Sequence, residues 1–153
     1  MIRVGFLADH PDTIPTLAKW FRAQWPGYYA SWSQAELEQD FLLDTARAQI
    51  PCRLVAFESG ELTGTIILRN NGSAMPSEFQ PELGGLYVAE THRGHGIATE
   101  LVRAGMQVAL DQGYEAVYAT TVAAAGILER LGWECFKTII HEGEQLALYR
   151  CKL

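Results

Sequence analysis

Residues 83–101 read Leu-Gly-Gly-Leu-Tyr-Val-Ala-Glu-Thr-His-Arg-Gly-His-Gly-Ile-Ala-Thr-Glu-Leu, and this stretch decides the fold. Leu83 to Val88 is apolar enough for a buried strand, with Gly84-Gly85 marking a bulge in it. From Ile97 the spacing turns helical. Ile97, Ala98, Leu101, Val102, Gly105, Val108 and Ala109 share one stripe, with Glu100, Arg103, Gln107 and Asp111 opposite. The helix is expected over Ile97 to Gln112, closed by Gly113. Between strand and helix stands a short loop carrying Arg93, Gly94 and Gly96. A helix start leaves backbone N–H groups unpaired at the positive end of its dipole. Glycines let that backbone approach a ligand, so the turn is an anion site suited to a pyrophosphate. Arg93 adds a cationic fork.

Working outward, Ile2, Val4 and Phe6 alternate as a first strand. Ile14, Leu17, Ala18, Phe21 and Trp25 follow with helical spacing; Asp12 or Thr13 is placed to cap that helix, and Pro26-Gly27 ends it. Ser33 and Glu36 have capping-box spacing, which starts a second helix predicted to run to about Ala48. Arg53 to Phe57 and Leu62 to Arg69 form a hairpin around Ser59-Gly60, and Asn70 to Pro81 reads as a loop. After the central helix come a strand at Ala116 to Thr121, a short helix at Ala123 to Leu131 and a hairpin around Glu142-Gly143-Glu144. The order β-α-α-β-β-β-α-β-α-β-β predicts an α/β fold. We expect one domain over 1–153, with a mixed, mostly antiparallel twisted sheet of about seven strands and helices on both faces.

The 153 residues are 48% hydrophobic and 20% charged, with a net charge of −6 and a pI near 5.2. That composition describes a globular chain and excludes whole-chain disorder and low complexity. The acidic balance argues against a nucleic-acid partner and suits a cationic substrate. Cys52, Cys135 and Cys151 are scattered and odd in number, so neither a disulfide framework nor a metal site is expected. The opening Met-Ile-Arg-Val-Gly-Phe-Leu-Ala-Asp lacks a signal-peptide pattern, and the longest apolar run falls short of a membrane span. A cytoplasmic location without membrane association is the expectation.

Three ligands suit the glycine turn. A nucleoside triphosphate is disfavoured, because no Lys-Ser or Lys-Thr follows the glycines. A dinucleotide such as NADH stays open: Gly94-x-Gly96 opens a helix and Glu115 lies downstream, although Thr99 replaces the third glycine. The third is coenzyme A. Arg93-Gly-His-Gly96-Ile-Ala98 resembles the Q/R-x-x-G-x-G/A signature of the GNAT superfamily of N-acetyltransferases. Leu86-Tyr87-Val88 looks like that family's fourth strand, and Leu131-Gly132-Trp133 like its Leu-Gly-Phe helix end. The similarity in element order covers nearly the whole chain. Gln24-Trp25-Pro26 and Ile50-Pro51-Cys52-Arg53-Leu54 are also similar to the actin-type N-terminal acetyltransferases and their bacterial relatives.

The resemblance implies acetyl-CoA as cosubstrate and direct attack by an amine, with no metal. It implies that the loop from Arg93 through Gly94, His95, Gly96, Ile97, Ala98 and Thr99 holds the pyrophosphate, and that the pantetheine arm lies along Leu86, Tyr87 and Val88. A bulge at Gly84-Gly85 would help the fourth and fifth strands splay. A lysine-like amine has a pKa near ~10.4 and needs a route to lose its proton. Glu82 matches a glutamate that several relatives use as base through water; a solvated strand end is the alternative reading. His92 is a rival base by chemistry alone.

One departure stands out. Many relatives protonate the leaving thiolate with a tyrosine four residues before the late glycine, and here that position is Leu128. Tyr118, Thr120, Thr121 and Cys135 are candidate stand-ins, and a non-catalytic acyl-CoA-binding module is the alternative function. Trp25, Tyr28, Tyr29 and Trp32 read either as an acceptor wall or as packing between the first helices. Glu36, Glu38, Asp40 and Asp44 read as a solvated acidic face or as an attraction for a cationic acceptor. The acceptor expected is a small-molecule or peptide amine, with monomer and homodimer both open.

Overall fold

The computed structural model describes residues 1–70, 75–121 and 124–153. One seven-stranded sheet organises the chain. Its strands are β1 (Ile2–Phe6), β2 (Cys52–Glu58), β3 (Glu61–Arg69), β4 (Glu82–Val88), β5 (Ala116–Thr121), β6 (Glu134–His141) and β7 (Glu144–Lys152). They lie in the order β1-β2-β3-β4-β5-β7-β6. Every neighbouring pair is antiparallel except β4 and β5. The expected mixed, mostly antiparallel sheet is therefore present. A dinucleotide fold needs a parallel sheet built from crossovers, so that reading is corrected.

The helices α1 (Ile14–Gln24) and α2 (Gln34–Phe41) cover one face, and α3 (Ile97–Asp111) with α4 (Ala125–Arg130) the other. Alternation along β2 explains the division. Leu54 and Ala56 join the core with Leu101, Val102 and Ala109 of α3, while Val55 joins Leu17, Phe21, Leu37 and Phe41 of α1 and α2. The α3 stripe read from sequence is the buried one: Ile97, Leu101, Val102, Gly105 and Ala109 are buried.

Local signals decide some boundaries and tertiary contacts decide others. The Ser33–Glu36 capping box starts α2 as expected, with both reciprocal hydrogen bonds at 3.0 Å. The helix stops at Phe41 rather than Ala48. A 3-10 turn at Leu42–Asp44 follows, Asp44 accepts a bond from Arg53, and Thr45 forms a β-bridge with Cys52. The chain leaves the helix early because it must turn into β2. Thr13 precedes α1 without capping it, since its hydroxyl donates to the His10 carbonyl at 2.7 Å. Within the predicted loop from Asn70 to Pro81, residues 71–74 lie outside the described residues, as does the predicted helix start at Ala123.

The register of β4 carries the feature that matters most. Between the pairs Thr65↔Tyr87 and Ile67↔Gly84, β3 spends one residue and β4 spends two. That extra residue is a bulge at Gly85, whose φ of +58° favours glycine. It flips the side-chain parity, so Leu83, Leu86 and Val88 all face the α3 core while Tyr87 faces α1.

Candidate active site

Strands β4 and β5 run parallel but pair only at Glu82↔Tyr118, where the Tyr118 N–H donates to the Pro81 carbonyl at 3.0 Å. That is their one paired position, and a cleft of about 520 Å³ opens along the end of β4 at the start of α3. Leu86, Tyr87 and Val88 form one wall, and Arg93, Gly94, Gly96, Ile97, Ala98 and Thr99 form its head. His95 alone of the loop residues turns away: its Nδ1 lies 2.8 Å from Glu58. That hydrogen bond holds the Glu58 carboxyl below the usual carboxylate range.

The head of the cleft fits an anionic group. Gly94 and Gly96 have φ of +83° and +84°, and a Cβ built on either meets nothing within 4 Å. Gly96 is the N-cap of α3, and the Glu100 N–H is bonded to its carbonyl at 3.1 Å. The N–H groups of Ile97, Ala98 and Thr99 therefore lie before the helical ladder begins. Arg93 donates from Nε to the Val88 carbonyl at 2.9 Å, and its guanidinium lies 5.8 Å from the Tyr87 ring. It thus ties the loop to the strand end. Arg130 of α4, with Gln24 and Trp25 from the end of α1, completes the lining. The sequence pointed to no part in this cleft for Gln24 or Arg130, and to Trp25 only as acceptor wall or packing, because only the tertiary fold brings α1 and α4 to β4. His92 lines the cleft while its Nε2 lies 3.4 Å from Glu61. His10 packs against Phe57 and His141 lies beside Glu142, away from the cleft.

At the one paired position of β4 and β5 sits Glu82. It is 3% exposed, and its Oε1 accepts from Arg69 Nε at 3.0 Å. The reading as a solvated strand end is thereby corrected: Glu82 is buried because β4 is an interior strand. Residues opposite one another on paired strands share a face, so Arg69, Glu82, Tyr118, Arg150 and Glu134 form a polar row across the sheet. Tyr118 stands beside the Phe79 and Phe136 rings at 5.5 and 5.9 Å.

A second cavity, of about 590 Å³, lies on the α1/α2 face. Phe21, Trp25, Tyr28, Tyr29 and Trp32 supply an aromatic wall. The aromatic cluster also packs the helix pair, as in Phe21 against Phe41 at 5.1 Å and Tyr29 against Trp32 at 6.1 Å. The acidic residues divide. Asp40 and Asp44 line the cavity, whereas Glu36 serves the capping box and Glu38 accepts from Gln34 at 2.9 Å. Arg53, Arg69 and Gly85 form the floor. Arg53 is 5% exposed, lies 5.3 and 4.7 Å from the Phe21 and Phe41 rings, and donates to Asp44 at 3.1 Å and Thr65 at 3.2 Å. Burial raises the Asp44 pKa and Arg53 opposes the rise. Sequence analysis gave no role to either arginine. The available signal was a cation inside an apolar strand.

The two cavities meet at the bulge. Gly85 lines one and its chain neighbour Leu86 lines the other, and Trp25 borders both.

Leu128 is 3% exposed and packed in the α3 core, while Ile127 lines the cleft. The helix position facing the cleft is thus one residue earlier than the sequence spacing suggests, and it is also apolar. Leu128→Tyr is expected to cost about 1–3 kcal/mol by overpacking. Ile127→Tyr, whose side chain has the cleft to enter, should cost less; urea unfolding of both variants checks the order. Among the other stand-ins, the Thr121 hydroxyl accepts from the Ala124 N–H at 2.6 Å. Cys135 is exposed on β6 and borders neither cavity. Cys52 and Cys151 are buried free thiols; burial, with Asp44 nearby, pushes the Cys52 pKa up to about 11. No group of His, Cys, Asp and Glu suited to a metal occurs among the described residues. No helix among them is long and apolar enough to cross a membrane.

Similarity to known proteins follows this geometry. The chain is 39% identical over 67 residues to N-acetyltransferase 8 from Mus musculus, covering 44% of this chain and 30% of that protein. It spans about a third of the length of that relative. Among solved structures, ribosomal-protein-alanine N-acetyltransferase from Brucella melitensis superposes with a TM-score of 0.75 at 20% identity, covering 100% of this chain and 99% of the other. An aminoglycoside 6'-N-acetyltransferase complexed with coenzyme A superposes with a TM-score of 0.75 at 16% identity, covering 98% and 96%. These two likenesses are of fold. The model of the acetyltransferase (GNAT) family matches residues 15–133, a span that includes both cavities' aromatic, glycine and strand residues, and this chain belongs to that family.

Proposed function

We propose that the chain is an acetyl-CoA-dependent N-acetyltransferase that brings an amine and the acetyl donor together in a ternary complex. One observation carries this reading: consecutive residues of β4, Gly85 and Leu86, line two different cavities that share Trp25. A donor in one and an acceptor in the other would meet at the bulge without either having to leave first. Acetyl-CoA, when bound, supplies a thioester whose C–S bond breaks as the amine nitrogen forms its C–N bond, releasing a thiolate. The Gly94–Thr99 backbone and Arg130 hold the phosphates, and Leu86 and Val88 offer backbone to the pantetheine arm. Trp25 closes the cleft from the α1 side.

Glu82 acts through Arg69 in this reading. Its carboxylate is buried and engaged, and it borders neither cavity, so it positions the guanidinium that does. The amine gives up its proton to water, and the departing thiolate takes a proton from water. A thiol of pKa about 8.5 is a tolerable leaving group near neutral pH. Omitting a positioned acid typically forgoes about 10²- to 10⁴-fold in rate, which predicts a slow enzyme. A second reading, acyl-CoA binding without turnover, is favoured by the apolar Ile127 and Leu128. Thiol release from acetyl-CoA with a panel of amines separates the two. Amine-dependent release supports the transferase; binding with no release for any amine supports the binding module.

A further inference from the structure

We infer that the acceptor is an α-amino acid with a large apolar or aromatic side chain, its carboxylate held by the two guanidiniums beside the β4 bulge; this rests on the acetyl-transfer reading above. A nitrogen attacking a thioester in the cofactor cleft must come to the bulge, so whatever adjoins that nitrogen lies against Gly84 and Gly85. On the acceptor side those glycines are covered by arginine. A Cβ built on Gly84 would stand 2.8 Å from Arg69 Nη2 and 3.5 Å from Glu82 Oε1, and one on Gly85 would stand 3.3 Å from Ile67 Cγ2 and 3.8 Å from both Nη atoms of Arg53. The paired carboxylates take the other edge of each fork: Asp44 is bonded to Arg53 Nε and Glu82 to Arg69 Nε. Arg69 Nη2 is therefore presented at the bulge, while Arg53 Nη1 is already bonded to Thr65, which leaves Arg53 its Nη2. Arg69 is the more available, its side chain 35% exposed against 5% for Arg53.

Guanidinium nitrogens in this position match a carboxylate one carbon away from the amine. Asp40 and Asp44 line the same cavity and would favour a second cation, so a diamine is the competing acceptor in the test. The remaining wall sets the rest of the acceptor. Trp25, Tyr28, Tyr29 and Trp32 offer apolar faces to a side chain, and a cavity of about 590 Å³ has room for one.

The test uses the intact chain with acetyl-CoA and four acceptors at one pH: L-phenylalanine, L-phenylalaninamide, phenethylamine and putrescine. The amide is the informative control, because it keeps shape and side chain and loses the carboxylate; its amine is less basic, so turnover of all four is compared per unprotonated amine. L-phenylalanine should show kcat/KM about 10- to 100-fold above the amide and phenethylamine, as for a lost charged hydrogen bond. In Arg69→Gln that preference should fall to about twofold or less, mainly through KM for the amino acid. Equal or better turnover of the amide, phenethylamine or putrescine would overturn the inference. So would a preference that survives Arg69→Gln, or turnover of none of the four while acetyl-CoA still raises the melting temperature. If acetyl-CoA gives no melting shift, it is the acetyl-transfer reading that falls, and this inference with it.

Discussion

An Arg53→Ala chain is expected to lose about 3–5 kcal/mol of stability, the range for removing one partner of a buried ion pair. Arg53 fills the space between the Phe21 and Phe41 rings and is the cation facing Asp44, whose side chain is 14% exposed. Removing it leaves a carboxylate beside Asp40 without its counter-ion, a Thr65 hydroxyl oxygen that loses its donor, and a void under α1 and α2. The pH dependence follows from the direction of the Asp44 shift. Its folded pKa is raised, so the folded state binds the proton more tightly than the unfolded chain does. Stability contributed by this group therefore falls as pH rises from about 3.9 through the folded value. Arg53→Ala should steepen that fall, and adding Asp44→Asn should recover part of the loss. Urea unfolding at pH 5 and pH 7 measures both effects. A loss below about 1 kcal/mol would mean that the pair is not what fixes the floor of the acceptor cavity.

Legibility from sequence followed the range of the forces involved. The α3 start, the glycine turn and the Ser33 capping box are set by neighbours within a few residues, and each was readable. So was the bulge, because two glycines in an apolar strand have few other uses. The end of α2 was misread because Asp44 and Thr45 are drawn towards Arg53 and Cys52, residues that periodicity does not connect to them. The assignment of Leu128 to the cleft depended on counting back from a glycine along a six-residue helix. On so short a helix a single residue separates a core position, Leu128, from a cleft position, Ile127. The aromatic cluster was seen as a cluster, but its two roles, packing and lining, are separated only by which ring faces which cavity. Arg53 and Arg69 were missed because their importance lies in register: β2 and β3 bring both guanidiniums to the same two glycines.

Gly96→Val should weaken acetyl-CoA binding at least tenfold while leaving the chain folded. The backbone at Gly96 has φ of +84°, where a side chain with a Cβ costs roughly 1–2 kcal/mol. A β-branched side chain there would also stand over the amides that are to face the pyrophosphate. Apart from the adjoining residues, no protein atom lies within 4 Å of the added Cβ, so open space surrounds it. The loss of stability should thus stay near the strain alone, and calorimetric titration should show the larger effect on the ligand. Unchanged affinity would mean that phosphates bind elsewhere than at the start of α3.

The most direct measurement is thermal unfolding of the intact chain with and without acetyl-CoA. At about 100-fold above Kd, binding adds about 2.7 kcal/mol. For a chain of this size that is a rise on the order of 5–10 °C. The two-cavity account predicts that rise with acetyl-CoA, its absence with NADH or ATP, and its loss in Gly96→Val. No rise at saturating acetyl-CoA, or an equal rise with NADH, would contradict it.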